Sequence, residues 1–82
     1  MDQRDEELIA ALMPRNAELR TAYEEHHRLN AEVDKLAAKA FLSATEEIEK
    51  KNLQKRKLAE KTKIVRILDD YRRSQLSGQS GG

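Results

Sequence analysis

The residues best suited to chemistry lie in Glu24-Glu25-His26-His27-Arg28-Leu29, where two histidines adjoin two carboxylates. An imidazole in such a place can serve as a metal ligand, a general base or a pH-responsive group. On a helix, however, adjacent side chains point about 100° apart, so His26 and His27 cannot grip one ion together. The chain has no cysteine, and no Asp or Glu set at metal-binding spacing accompanies the pair. His26 falls instead on an apolar seam, where a single polar residue can fix the register of packed helices. The register developed below sets it opposite residues 57–61, with Glu60 as its expected partner.

A second candidate is basic. Lys50, Lys51, Lys55, Arg56, Lys57, Lys61, Lys63 and Arg66 stand against one carboxylate, Glu60, between residues 50 and 66. Such a helix can bind the phosphates of nucleic acid or another polyanion, in a salt-sensitive way. No aromatic residues are interleaved for base stacking, and no helix-turn-helix spacing or glycine-rich turn is present. The competing reading is a solvated face, or cations lying against an acidic helix of the same or another chain. Enzyme chemistry finds little: there is no glycine-rich phosphate loop, nucleophile elbow or HExxH pair. Ser43 is better used as a helix cap, and Ser74, Ser77 and Ser80 lie at the chain's end. The chain is therefore expected to be non-catalytic, with neither metal nor cofactor.

The elements that must position these residues are helical. Ala, Glu, Lys, Leu and Arg supply 46 of the 82 residues, Pro14 is the only proline, and all three glycines lie at or beyond Gly78. That composition excludes a β-sandwich, a Rossmann unit and a disulfide scaffold. Leu19, His26, Val33 and Ala40 recur on one seam position, and Ala22, Leu29 and Leu36 on the other. Leu8 and Leu12 lie upstream, where Pro14 marks a helix start or kink. The expected helices are about 3–13 and about 15–40. Ser43 with Glu46 three residues on reads as a capping box, opening a helix over about 44–74. Its apolar stripe is Ile48, Leu53, Leu58, Ile64, Val65, Ile67, Leu68 and Tyr71, and residues 77–82 read as a flexible Ser/Gly tail.

Two long helices with a short link near residues 41–43 should fold into an antiparallel, coiled-coil-like hairpin, a single all-α domain over residues 1–76. Residue numbers summing to about 85 then face one another: Leu36 with Ile48, Val33 with Asn52 and Leu53, Leu19 with residues 64–67. A two-helix layer buries only one face of each helix, so assembly into a larger helical bundle is the expected remedy. The two halves are complementary in charge: residues 2–42 carry six cations and nine carboxylates, residues 43–82 ten and six. No stretch approaches the ~18 apolar residues of a membrane span. The acidic start Met1-Asp2-Gln3-Arg4-Asp5-Glu6-Glu7 is unlike a signal peptide. A cytoplasmic homo-oligomer is expected, with an unidentified protein or a nucleic acid as alternative partner and no membrane.

At Leu19-x3-Tyr23-x2-His26-x2-Leu29-x3-Val33-x2-Leu36, then Leu53-x3-Lys57-Leu58-x2-Lys61-x2-Ile64-x2-Ile67-Leu68, the chain resembles the YdcH-like family of short bacterial proteins. Its members show an aromatic-x2-His-x2-Leu pattern on a first helix and a Leu-Lys-rich stretch on a second. The likeness covers about residues 8–68. Where the family has Leu-Lys-Asp, this chain has Glu60-Lys61-Thr62, and Gln54 replaces a lysine. The resemblance implies a cytoplasmic, oligomerising helical hairpin and no particular activity. The expected role is that of a structural or adaptor module acting through helix–helix contacts. Leu19, His26, Leu29, Val33, Leu36, Ile48, Leu53, Leu58, Ile64, Ile67 and Leu68 form the contact surface, with Tyr23 and Tyr71 as edge anchors.

Overall fold

The computed structural model describes the backbone of residues 2–81 and the side chains of residues 2–76. The expected flexibility of the 77–82 tail lies outside the described side chains. Among the described residues the chain is helical without strands, and three helices pack against one another. Asp2 opens α1 (Gln3–Leu12) by accepting the Asp5 amide at 2.9 Å, with Asp5 and Glu6 at the positive end of the helix dipole. Pro14 then lies in a 3-10 turn, Met13–Arg15. Asn16, extended at φ −133° and ψ 99°, restarts the helix by accepting the Leu19 amide at 3.0 Å. That cap sets the start of α2 (Ala17–Ala37) two residues later than the sequence pattern suggested.

α2 also ends earlier than expected, at Ala37, with a tightened bond from the Lys39 amide to the Leu36 carbonyl at 3.2 Å. Ala40 is exposed, so the heptad seam stops before it. The chain must leave the helix here because Leu42 tucks against the core and Ser43 caps the next helix. The capping box forms in both directions: Ser43 Oγ accepts the Glu46 amide and Glu46 Oε1 accepts the Ser43 amide, each at 3.1 Å. From it runs α3 (Ala44–Gly81), whose backbone stays helical past the Ser74 end read from the sequence. Gly78 and Gly81 are weak helix formers, costing about 1 kcal/mol each, but they are not a steric stop as proline is. No helix of the described residues is long and apolar enough to cross a membrane.

The core falls into two clusters. Ile9 and Leu12 of α1, Leu19 and Ala22 of α2, and Ile64 and Leu68 of α3 make the first, edged by Leu8, Met13, Tyr23 and Ile67. Leu29, Val33 and Leu36 with Leu53 make the second. The first is therefore three helices thick and the second only two, within a molecule measuring 58 × 21 × 17 Å.

Three apolar residues of the expected contact surface lie outside this core. Ile48, expected against Leu36, is 62% exposed. It precedes Leu53 by five residues, which turns it about 140° off the buried seam of α3. Leu58 follows Leu53 by five residues and leaves the seam on the other side, and Tyr71 is exposed at the far end.

Truncation should separate these positions. Ile64→Ala should cost about 2–5 kcal/mol in urea unfolding, whereas Ile48→Ala should stay within about 0.5 kcal/mol of the parent. Glu46 is held below the usual carboxylate range chiefly by the Lys39 ammonium, then by the Ser43 amide. A depressed carboxyl binds fewer protons in the folded state, so its contribution is present above the ordinary carboxylate value and fades as pH falls through the lowered one. Glu46→Gln should therefore make the acid limb of a stability–pH curve shallower.

Candidate functional site

Between the two apolar clusters the seam turns polar. On α2 the position between Ala22 and Leu29 is His26, and on α3 the positions between Leu53 and Ile64 are Lys57 and Glu60, all three half-buried. His26 Nδ1 lies 3.2 Å from the Lys57 carbonyl oxygen. A carbonyl can only accept, so Nδ1 must carry the hydrogen and donate it, which leaves Nε2 as the free ring nitrogen. This corrects the expected His26–Glu60 pair. Glu60 runs along its own helix instead, with its carboxylate 3.7 Å from Lys63 Nζ.

A cleft of about 330 Å³ opens beside this layer. α2 contributes Tyr23, His26, His27 and Asn30, α3 contributes Lys57, Leu58 and Lys61, and α1 closes one side with Glu6. The Tyr23 hydroxyl donates to Glu6 Oε2 at 3.1 Å. Burial, and then the hydrogen bond and charge of Glu6, push the Tyr23 hydroxyl up from its ordinary value, so it stays a neutral donor. Its ring meets the His27 ring edge-on at 4.4 Å. The two imidazoles are 5.9 Å apart and steeply inclined at 79°. Among the described residues no three His, Cys, Asp or Glu side chains converge on a point that could hold a metal ion.

The basic stretch of α3 does not form one stripe. At about 100° per residue its cations wrap the helix. Arg56 turns toward α2 and meets Glu25 at 3.5 Å. Glu25 is held below the usual carboxylate range mainly by its hydrogen bond from Arg28, whose guanidinium is raised in return. Lys63 joins Glu60. Lys57 and Lys61 line the cleft, and Lys50 and Lys51 edge a shallow depression with Leu42. Lys55 and Arg66 are exposed.

Of the expected contact surface, Leu19, Leu29, Val33, Leu36, Leu53, Ile64 and Leu68 are buried inside the chain, and Tyr23, His26 and Ile67 partly so. The polar ties of α1 were missed: Tyr23–Glu6, and Arg72 Nη2 to Asp5 Oδ1 at 2.9 Å. Nothing in spacing over 17 and 67 residues announces such pairs. Asn30 was missed as well, although its position four residues after His26 places both on one helix face.

α3 has a second apolar face. Leu58, Val65 and Leu76 are 59%, 39% and 63% exposed. They are spaced by seven and eleven residues, close to whole numbers of helical turns, so they line up away from the core. At its end Leu76 joins Leu8, Ala11 and Tyr71 in an open depression between α1 and α3. No protein-family model, curated protein or solved structure matches the chain.

The tautomer offers a direct check. Long-range proton–nitrogen spectra should show neutral His26 protonated at Nδ1, and Glu60→Leu should leave that pattern unchanged. An Nε2-protonated ring would remove the bond to Lys57.

Proposed function

We propose that the chain is a small non-catalytic structural or adaptor module: an antiparallel helical hairpin, braced by α1, that associates with further copies of itself through helix–helix contacts. One observation carries this reading, the outer apolar face of α3 at Leu58, Val65 and Leu76. Residues already buried in the chain's own core cannot also form a contact between copies, so association passes to the apolar residues left exposed. A second copy is the occupant favoured by charge. Helix α3 and its flanks are basic, whereas α2 carries Glu18, Glu24, Glu25, Glu32 and Asp34 against Arg20, Arg28 and Lys35. Two copies related by a two-fold axis would lay each basic α3 against the partner's acidic α2. The resemblance to the YdcH-like family points the same way, and membership of that family belongs to the proposal.

A second reading, binding of nucleic acid or another polyanion, is supported by the cations between residues 50 and 66 of α3 that make no ion pair among the described residues: Lys50, Lys51, Lys55, Lys57, Lys61 and Arg66. Salt separates the two. Affinity for phosphates should collapse between about 50 and 200 mM salt through counterion release, whereas an apolar contact should not.

Light-scattering mass after size exclusion tests the first reading. The expected result is a dimer or larger species that persists at high salt, and Val65→Glu should convert it to monomer with its helicity kept. A folded monomeric parent would overturn the reading.

A further inference from the structure

We infer that the cleft between α2 and α3 is a binding site for a small phosphomonoester, held by Lys57 and Lys61 from α3 and by His26, His27 and Asn30 from α2. The cleft holds unmet donors. Lys57 and Lys61 are one turn apart on one side of α3, and neither has a carboxylate partner among the described residues. Like charges at this spacing disfavour a helix, and an anion placed between them reverses the sign. The Asn30 side chain and the His27 ring nitrogens make no hydrogen bond within the described residues.

His26 is oriented for the same task. Its Nδ1 hydrogen is committed to the Lys57 carbonyl, so the opposite nitrogen is held in a fixed direction and, when protonated, becomes a charged donor. The one carboxylate in the cleft, Glu6, lies on the α1 side and is already engaged by the Tyr23 hydroxyl. What remains toward α3 is a concave surface on which the two lysine ammonium groups and the Asn30 amide can donate, and which carries no further carboxylate. Partial burial of Lys57 and His26 strengthens their field over that of a cation in open water.

Size and lining choose the ligand class. A space of about 330 Å³ suits a small organic molecule and is too narrow for a duplex. The Tyr23 ring and the Leu58 side chain supply apolar walls for the organic part, while the cations take the terminal phosphate. A phosphomonoester carries close to two negative charges and three acceptor oxygens, which matches several converging donors better than the single charge of a diester. The site's polar groups all come from one chain, and of the outer apolar face of α3 it shares Leu58.

Phenyl phosphate is the probe, titrated into the full-length isotope-labelled protein, with a single-stranded oligonucleotide as the diester comparison. The expected result is saturable shifts centred on His26, His27 and Asn30. Lys57→Gln with Lys61→Gln should weaken binding by about tenfold or more, the scale of losing charge-assisted hydrogen bonds. Lys51→Gln with Lys55→Gln should leave it within about twofold, and Glu6→Gln should tighten it. Shifts that do not saturate, an equal loss in both lysine pairs, or an affinity indifferent to Glu6 would overturn the site. Oligonucleotide binding without saturable phenyl phosphate binding would overturn it too, and would assign the cations to a helix-wide polyanion surface.

Discussion

The hydrogen bond from His26 to the Lys57 carbonyl ties α2 to α3 at the one level where neither helix offers the seam an apolar side chain. Apolar contacts are non-directional, and a pair of amphipathic helices can slide by a turn with modest loss. A donor that must find an acceptor at one height is not so tolerant, because leaving it unpaired and partly buried costs about 1–3 kcal/mol. The polar layer therefore does for register what the apolar clusters on either side cannot. It also divides the core, and so creates the two unequal ends of the molecule.

Those ends meet the same problem differently. Two helices facing each other leave most of each cylinder in water, and the end containing Leu29, Val33, Leu36 and Leu53 adds only Leu42 to its seam. At the other end α1 lays Ile9 and Leu12 across Leu19, Ile64 and Leu68, which are nearly inaccessible as a result. The proline-containing turn and the Asn16 cap make this possible, since a continuous helix from Gln3 onward would carry α1 away from the core instead of over it. The polar ties from Glu6 and Asp5 then hold its orientation, though exposed pairs of this kind add little stability.

The seam of α2 was readable in the sequence because a seven-residue repeat needs no tertiary information, and Leu19, Ala22, Leu29, Val33 and Leu36 are all buried. The Ser43–Glu46 box was readable for the same reason: both partners are local. What failed was counting along α3. Its apolar residues occupy two faces, so a single list from Ile48 to Tyr71 mixed the buried Leu53, Ile64 and Leu68 with the exposed Ile48, Leu58 and Val65. Asn16 is a legible cap residue, and its side chain, not Pro14, marks the start of α2. The candidate cleft was half visible. His26 and Lys57 could be set opposite each other by register, but a side chain choosing a backbone carbonyl over Glu60 is a matter of reach, not of spacing.

The electrostatics of α3 differ between the two sides of its buried seam. Seen down its axis, α3 has two flanks beside the buried seam. On one, Arg56 finds Glu25 of α2, and Lys63 on the same side is drawn to Glu60. On the other, Lys57 and Lys61 lie one turn apart, and the residues of α2 that line the cleft beside them are His26, His27 and Asn30 rather than carboxylates. Of the α2 carboxylates, Glu25 is thus engaged across the pair on the first flank. Opposite charges that settle into neighbouring partners fix how helices lie together, and those that do not remain as a field at the surface. Because the unsettled side is also the concave one, its field is concentrated between low-dielectric walls instead of dispersing into water. The same division that aligns α2 with α3 leaves the cleft positive.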